Sequence, residues 1–152
     1  MKKIIIIFFC FFASNFLAQD NLFVKVKEQL KKQHPELQIE NKLIVINVWS
    51  SNDAESRNAN AELNKTASTF EYAKLKGGRR GMIAVVINSD ESENLSVITL
   101  GKDKITKAIA LSKADLDVSA VKTVAFDSDG NKVYSSIPSK DIFSSIQKLI
   151  TR

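Results

Sequence analysis

The stretch that most constrains this chain is residues 43–57, LIVINVWSSNDAESR. Six of the seven residues Leu43–Trp49 are apolar. A short run that stays apolar at both alternating positions is the mark of a central strand covered by helices on its two faces. Ser50, Ser51 and Asn52 then make a polar turn, and Asp53 stands where a helix begins. Its short acceptor side chain suits an N-cap, accepting backbone N–H groups that the first turn leaves unpaired. A helix N-terminus reached from a buried strand is also a place where folds hold anions, nucleophiles and cofactors. What Asp53, Ser56 and Arg57 can do there decides the functional reading.

The rest of the chain supplies partners for that strand. Ala54, Ala59, Leu63, Ala67 and Phe70 recur at helical spacing and predict a helix over residues 53–76, stopped by Gly77 and Gly78. Residues 82–87 are again continuously apolar. Residues 43–87 are therefore predicted to form a β-α-β unit with parallel strands and a right-handed crossover. Upstream, Leu22, Phe23, Val26 and Leu30 share one face of a helix over residues 21–33, ended by Pro35. His34, the sole histidine, falls at that end in a structural or idle role. Residues 94–100 fit neither the helix nor the strand period, and residues 105–111 suggest a short extended segment. Residues 122–126 and 132–135 flank Asp127-Ser128-Asp129-Gly130-Asn131 and predict an antiparallel hairpin. An amphipathic helix over residues 138–152 closes the chain, with Ser139 as its cap and Ile142, Phe143, Ile146, Leu149 and Ile150 inward.

The first residues read as an export leader. Lys2 and Lys3 precede an apolar run over residues 4–12, and small and polar residues lead to cleavage after Ala18. The run is shorter than the roughly 20 residues a stable membrane span needs. The expected division is a leader over 1–18, a helical extension over 19–39 and one domain over 40–152. An exported location, periplasmic or extracellular, follows. Cleavage would remove Cys10, the only cysteine, so the exported chain is expected to have no thiol, no disulfide and no cysteine-bound metal. The net charge of +5 is spread out, and the basic groups at 25–32 and 74–80 lack interleaved aromatics. No nucleic-acid platform is expected. The acidic turn at 127–131 has its glycine in the fourth place, not the sixth that a calcium loop requires. The glycines at 77–81 follow a helix and precede a strand, the reverse of a phosphate cradle.

The order of elements, with Trp49-Ser50-Ser51-Asn52-Asp53-Ala54-Glu55-Ser56-Arg57 in place, resembles the thioredoxin fold. It is most similar to the secreted TlpA/ResA-like thiol–disulfide oxidoreductases, over roughly residues 40–150. In that group a strand ends in tryptophan, followed by two small residues, an aromatic residue and C-G-P-C-R opening a helix. Here Trp49, Ser50, Ser51 and Arg57 match. Asn52 replaces the aromatic residue, while Asp53 and Ser56 stand at the two cysteine positions. Glu62-Leu63 and Phe126 to Val133 match further family features. The fold class implied is α/β: a three-layer α/β/α thioredoxin-like domain with a central mixed sheet, a β-α-β unit and a C-terminal hairpin and helix.

The departures bear on activity. Thiol–disulfide exchange needs a nucleophilic thiolate and a resolving thiol. Neither Asp53 nor Ser56 can fill those roles. The family's cis-proline ahead of the hairpin strand is also missing, and Val121 stands in that segment. The expectation is a non-enzymatic domain that calls for no cofactor and no metal. Its binding residues would be Trp49, Asp53, Ser56, Arg57 and Val121, and its partner an envelope or secreted protein. Two other readings stay open at this stage: a non-redox enzyme using Asp53, Ser56 and Arg57, or a structural subunit of an envelope assembly.

Overall fold

The computed structural model describes residues 21–151. The leader expected over 1–18, with Cys10, lies outside the described residues. Residues 21–33 form the first helix, α1. It is followed by β1 (Leu43–Trp49), α2 (Ala54–Phe70), β2 (Met82–Asn88), α3 (Glu93–Lys102), β3 (Ile109–Leu111), β4 (Thr123–Phe126), β5 (Lys132–Tyr134) and α4 (Ile142–Gln147). The five strands make one mixed sheet in the order β3-β2-β1-β4-β5. β1 and β2 are parallel, with Leu43 opposite Met82 and Trp49 opposite Asn88, as the β-α-β reading requires. β4 runs antiparallel to β1 and to β5, completing the hairpin.

Every residue of β1 is buried, because alternate side chains enter two different cores. Leu43, Val45 and Trp49 pack with Leu63, Phe70, Ile142 and Ile146 under α2 and α4. Ile44, Ile46 and Val48 pack with Phe23, Val26 and Leu30 of α1 on the opposite face. This is the three-layer arrangement with β1 at its centre. The hairpin turn is held by Asp127, whose Oδ1 accepts from the backbone N–H of Asp129 and Asn131, each at 2.9 Å. Its Oδ2 accepts from Asn131 Nδ2 at 3.1 Å and from Arg79 at 3.0 Å. The carboxylate is occupied as a turn-former, with the chain in the left-handed conformation at Gly130 (φ 86°).

Four expectations are corrected. α2 ends at Phe70, not at residue 76. Continued helically, Leu75 would fall about 120° off the stripe of Leu63 and Phe70. The chain instead leaves the helix and buries Leu75 opposite Ile150. Gly77 and Gly78 form the turn of a small hairpin whose arms meet at Lys74 and Arg80, and they stop no helix. The closing helix is also shorter than residues 138–152. A 3₁₀ turn at Ser139–Asp141 leads into α4, and Ile150 pairs with Leu75 beyond it. Ser139 caps nothing, since its hydroxyl donates to Glu55 Oε1 at 2.6 Å. Residues 94–100, without a legible period, belong to α3.

Candidate functional site

The site is the corner between β1 and α2. Asp53 has extended geometry (φ −103°, ψ 104°), and its Oδ1 accepts from Glu55 N–H at 3.1 Å. It is the N-cap its residue type suggests. Ser56, three residues on, donates from Oγ to the Asp53 carbonyl at 3.0 Å and accepts from Ser50 N–H at 3.1 Å. The two residues at the cysteine positions of the resembled motif are thus locked to each other and to the turn before them. Ser56 Oγ has no imidazole, amine or carboxylate among its hydrogen-bond partners, so nothing activates it as a nucleophile.

The turn has a second support that short-range sequence reading missed. Asp90, two residues past β2, accepts from Ser50 Oγ at 2.6 Å, Ser51 N–H at 2.8 Å and Asn88 Nδ2 at 3.2 Å. Burial works against its charge. The hydrogen bonds from Ser50, Ser51 and Asn88 outweigh that effect and hold the carboxyl down at about 2, against an ordinary 3.8. Because the folded value is depressed, the stabilisation is present above about pH 4 and lost as pH falls through about 2. After allowance for solvent screening it amounts to about 1 kcal/mol. Asp90→Asn is expected to lower stability by that amount at pH 7. Urea unfolding should show the gap between wild type and variant closing between pH 4 and pH 2. A gap that does not change with pH would refute the assignment.

Beneath the corner lies a buried polar cluster on the α2 side of β1. Asn47 Nδ2 donates to the Ser56 carbonyl at 3.0 Å and to Asn60 Oδ1 at 2.7 Å. Thr123 Oγ1 donates to Asn47 Oδ1 at 2.9 Å. Asn47, the one polar residue of β1, therefore ties the start of α2 to β4. The donors Asn60 Nδ2 and Trp49 Nε1, both buried close to this layer, have no partner among the described residues.

The five expected binding residues separate into groups. Asp53, Ser56 and Val121 line a cleft of about 590 Å³, with residues 116–122 as its far wall. That wall joins the sheet where Val48 N–H donates to the Lys122 carbonyl at 2.9 Å. A smaller cavity of about 270 Å³ lies toward Ile137 and Pro138, and Val48, Asp53, Ser56 and Lys122 border both. The two spaces form one groove crossing the helix start. Trp49 borders the cleft but is only 1 % exposed, with its side chain in the α2-side core, so its ring offers no contact surface. Arg57 points elsewhere, forming a two-pronged pair with Asp103 at the end of α3 at 2.8 and 2.5 Å. The guanidinium holds the Asp103 carboxyl below the usual carboxylate range, against the opposing effect of burial. Arg57 ties α2 to α3 and takes no part in the groove.

No protein-family model matches the chain, and no curated protein matches it. Solved structures do. The thioredoxin domain of a Bacteroides vulgatus thiol-disulfide oxidoreductase superposes with a TM-score of 0.60 at 17% identity, covering 74% of this chain and 82% of that one. A thiol:disulfide interchange protein from Bacteroides sp. gives 0.59 at 17% identity, over 74% and 75%. A secreted Mycobacterium tuberculosis disulfide oxidoreductase gives 0.55 at 12% identity, over 73% and 84%. At these identities the likeness establishes the fold, and the fold is thioredoxin-like.

Proposed function

We propose that this chain is an exported, redox-inactive thioredoxin-like domain that binds an extended segment of an envelope or secreted protein in the groove across the start of α2. The observation that carries this reading is the state of the groove's polar groups. Asp53 serves as a cap, and Ser56 spends its hydroxyl on Asp53 and Ser50. Arg57 is turned away to Asp103. An enzyme built on Asp53, Ser56 and Arg57 would need those three to converge, and they do not. What remains is a recess whose far wall offers half-buried Val121 and exposed Ala120, with charged groups at Asp53, Lys113, Asp117 and Lys122, while Val118 behind it is packed in the α1-side core. Such a surface suits a peptide better than bond-making chemistry. The sole cysteine, Cys10, sits in the leader-like segment, and Asp53 and Ser56 at the two motif positions carry no thiol. Export is supported by that segment and by the secreted character of a fold neighbour.

The test uses the protein as the producing cell processes it, immobilised against the envelope fraction. Val121→Asp puts a charge on the apolar wall, and Asp53→Ala removes the carboxylate at the groove's narrow point. Recovery of the bound species is expected to fall about tenfold or more with Val121→Asp. Asp53→Ala should weaken it further than its cap loss of about 1 kcal/mol disturbs the fold. Equal recovery by wild type and both folded variants would sink the proposal.

A further inference from the structure

Positive charge that is dispersed along the sequence is gathered by the fold at one end of the sheet. Lys74 and Arg80 pair across the small hairpin after α2. Arg80 N–H donates to the Asn41 carbonyl at 2.9 Å, and Lys42 Nζ donates to the Arg80 carbonyl at 3.3 Å. The residue before β1 is thereby held against the hairpin. Lys76 N–H donates to the Leu149 carbonyl at 2.7 Å and Thr151 N–H to the Lys74 carbonyl at 3.0 Å, so the end of the chain, with Lys148, lies alongside. Three segments far apart in sequence thus bring Lys42, Lys74, Lys76, Arg80 and Lys148 to one end of the molecule.

Little at this end offsets them. Glu40 is engaged with Lys31 at 3.6 Å, Glu71 with Lys107 at 3.3 Å and Asp127 with Arg79 at 3.0 Å. Asp129, in the turn at 127–131, and Glu36, beside His34, carry the remaining negative charge. None of the five cations has an ion-pair partner among the described residues, and all but Lys42 are exposed. Like charges held together repel one another in the free protein, and that repulsion is relieved when an anionic surface draws near. Lys74 and Arg80 also border a recess of about 240 Å³ with the Gly77–Gly78 turn and Thr151. The one large aromatic side chain of the hairpin approach is Tyr72, two residues before Lys74 and 78 % exposed. A single strand of nucleic acid needs a series of stacking rings, which is missing here. An exposed tyrosine beside basic residues suits the headgroup level of a bilayer, where its ring is half in apolar surroundings and its hydroxyl is wet.

We infer that this end of the sheet, built on Lys42, Lys74, Lys76, Arg80 and Lys148, docks the protein on the anionic phospholipid headgroups of a bilayer, with Tyr72 at headgroup level. No helix among the described residues is long and apolar enough to cross a membrane, so the contact is peripheral and electrostatic. β1 separates the patch from the groove. Lys42 precedes its first residue, while Val48 near its far end borders the groove, about 20 Å away at about 3.3 Å per residue. A docked chain holds the groove away from the bilayer, and with it the carboxylates of Asp53, Glu55 and Asp117, which an anionic surface would repel. The docking does not depend on what the groove binds.

Cosedimentation of the cell-processed protein with vesicles tests the docking. Vesicles of equal parts phosphatidylcholine and phosphatidylglycerol should capture it at about 0.05 M salt and release it at about 0.5 M, where screening is short-ranged. Vesicles of phosphatidylcholine alone should capture none. Lys74→Glu combined with Arg80→Glu, both at exposed positions, should weaken capture by more than about twentyfold, at about fivefold for each cation lost. Lys27→Glu combined with Lys104→Glu makes the same change in net charge away from the patch and should keep most of the binding. Tyr72→Ser should weaken it severalfold. Failure to bind the anionic vesicles at low salt overturns the inference, as does equal capture by the neutral ones. A patch variant with an unchanged circular dichroism spectrum that binds as well as Lys27→Glu/Lys104→Glu also overturns it. Binding to a DNA oligonucleotide without binding to anionic vesicles, or a Tyr72→Ser chain that binds like wild type, would overturn the bilayer as the partner.

Discussion

Gly81→Ala is expected to destabilise the protein by about 4 kcal/mol or more, enough to remove most folded material from a soluble extract. Gly81 joins the small hairpin after α2 to β2. Its N–H donates to the Ala73 carbonyl at 2.8 Å and its carbonyl accepts from Leu43 N–H at 3.2 Å, so it is fixed from both sides. Its φ of 79° is one that L residues avoid, and a Cβ there would lie 2.1 Å from the backbone oxygen of Glu71. A backbone atom at that distance cannot rotate away as a side chain can, so the end of α2 would have to move off β1. Gly78→Ala is the matched comparison. It has nearly the same φ, 77°, with nothing within 4 Å of its Cβ, and should lose only the about 1–2 kcal/mol of the left-handed conformation. Chemical denaturation of the two variants separates the effects. Equal losses would mean that the close approach at Gly81 does not hold in solution.

Asn47→Leu is expected to lower stability by about 3 kcal/mol and the unfolding midpoint by about 10 °C. The substitution leaves the Asn60 side chain and the Thr123 hydroxyl without the partner that now satisfies them, and removes the second bond of the Ser56 carbonyl. Asn47, Asn60 and Thr123 are 1, 0 and 2 % exposed, so solvent cannot replace the lost bonds. The greater apolar bulk of leucine does not offset the stranded Asn60 amide and Thr123 hydroxyl; the Ser56 carbonyl, inside α2, keeps its helix bond. Thr123→Val, which removes one donor and keeps the shape, should lose only about 1 kcal/mol. An Asn47→Leu protein within 1 kcal/mol of wild type by calorimetry would show that the cluster is not a stabilising unit.

The parts of this fold that were legible in the sequence are those set by local pattern. β1 and β2 are continuous apolar runs, and burial on both faces is what such runs are for. Asp53 is a short acceptor ahead of a helical pattern, and its capping bond spans two residues. The turn at 127–131 is closed by one aspartate within its own few residues. The parts that were not legible depend on distant partners or invert the usual pattern. Asp90 meets Ser50 across 40 residues of chain, and Arg57 meets Asp103 across 46. Neither pairing leaves a trace in spacing. The premature end of α2 did leave one, since Leu75 is off the helix stripe, but the glycines beyond it were the louder signal. α3 escaped because its apolar residues face outward, which defeats a reading that assumes they face in. Trp49 marked the motif correctly, yet its burial was decided by parity along β1, which puts it on the same face as Val45 and Asn47.

The central proposal is that the β1–α2 corner of this thioredoxin-like fold works without thiol chemistry. Asp53 and Ser56 occupy the cap and third positions of the helix, which touch one another through the Ser56 Oγ to Asp53 carbonyl bond. Insulin-disulfide reduction, run on the wild type beside the Asp53→Cys/Ser56→Cys variant, measures both halves at once. The account predicts wild-type rates at the dithiothreitol background. It also predicts a double variant that closes a disulfide between its two introduced thiols and turns over above background. Catalysis by the wild type would contradict the account, as would a folded double variant whose thiols never pair.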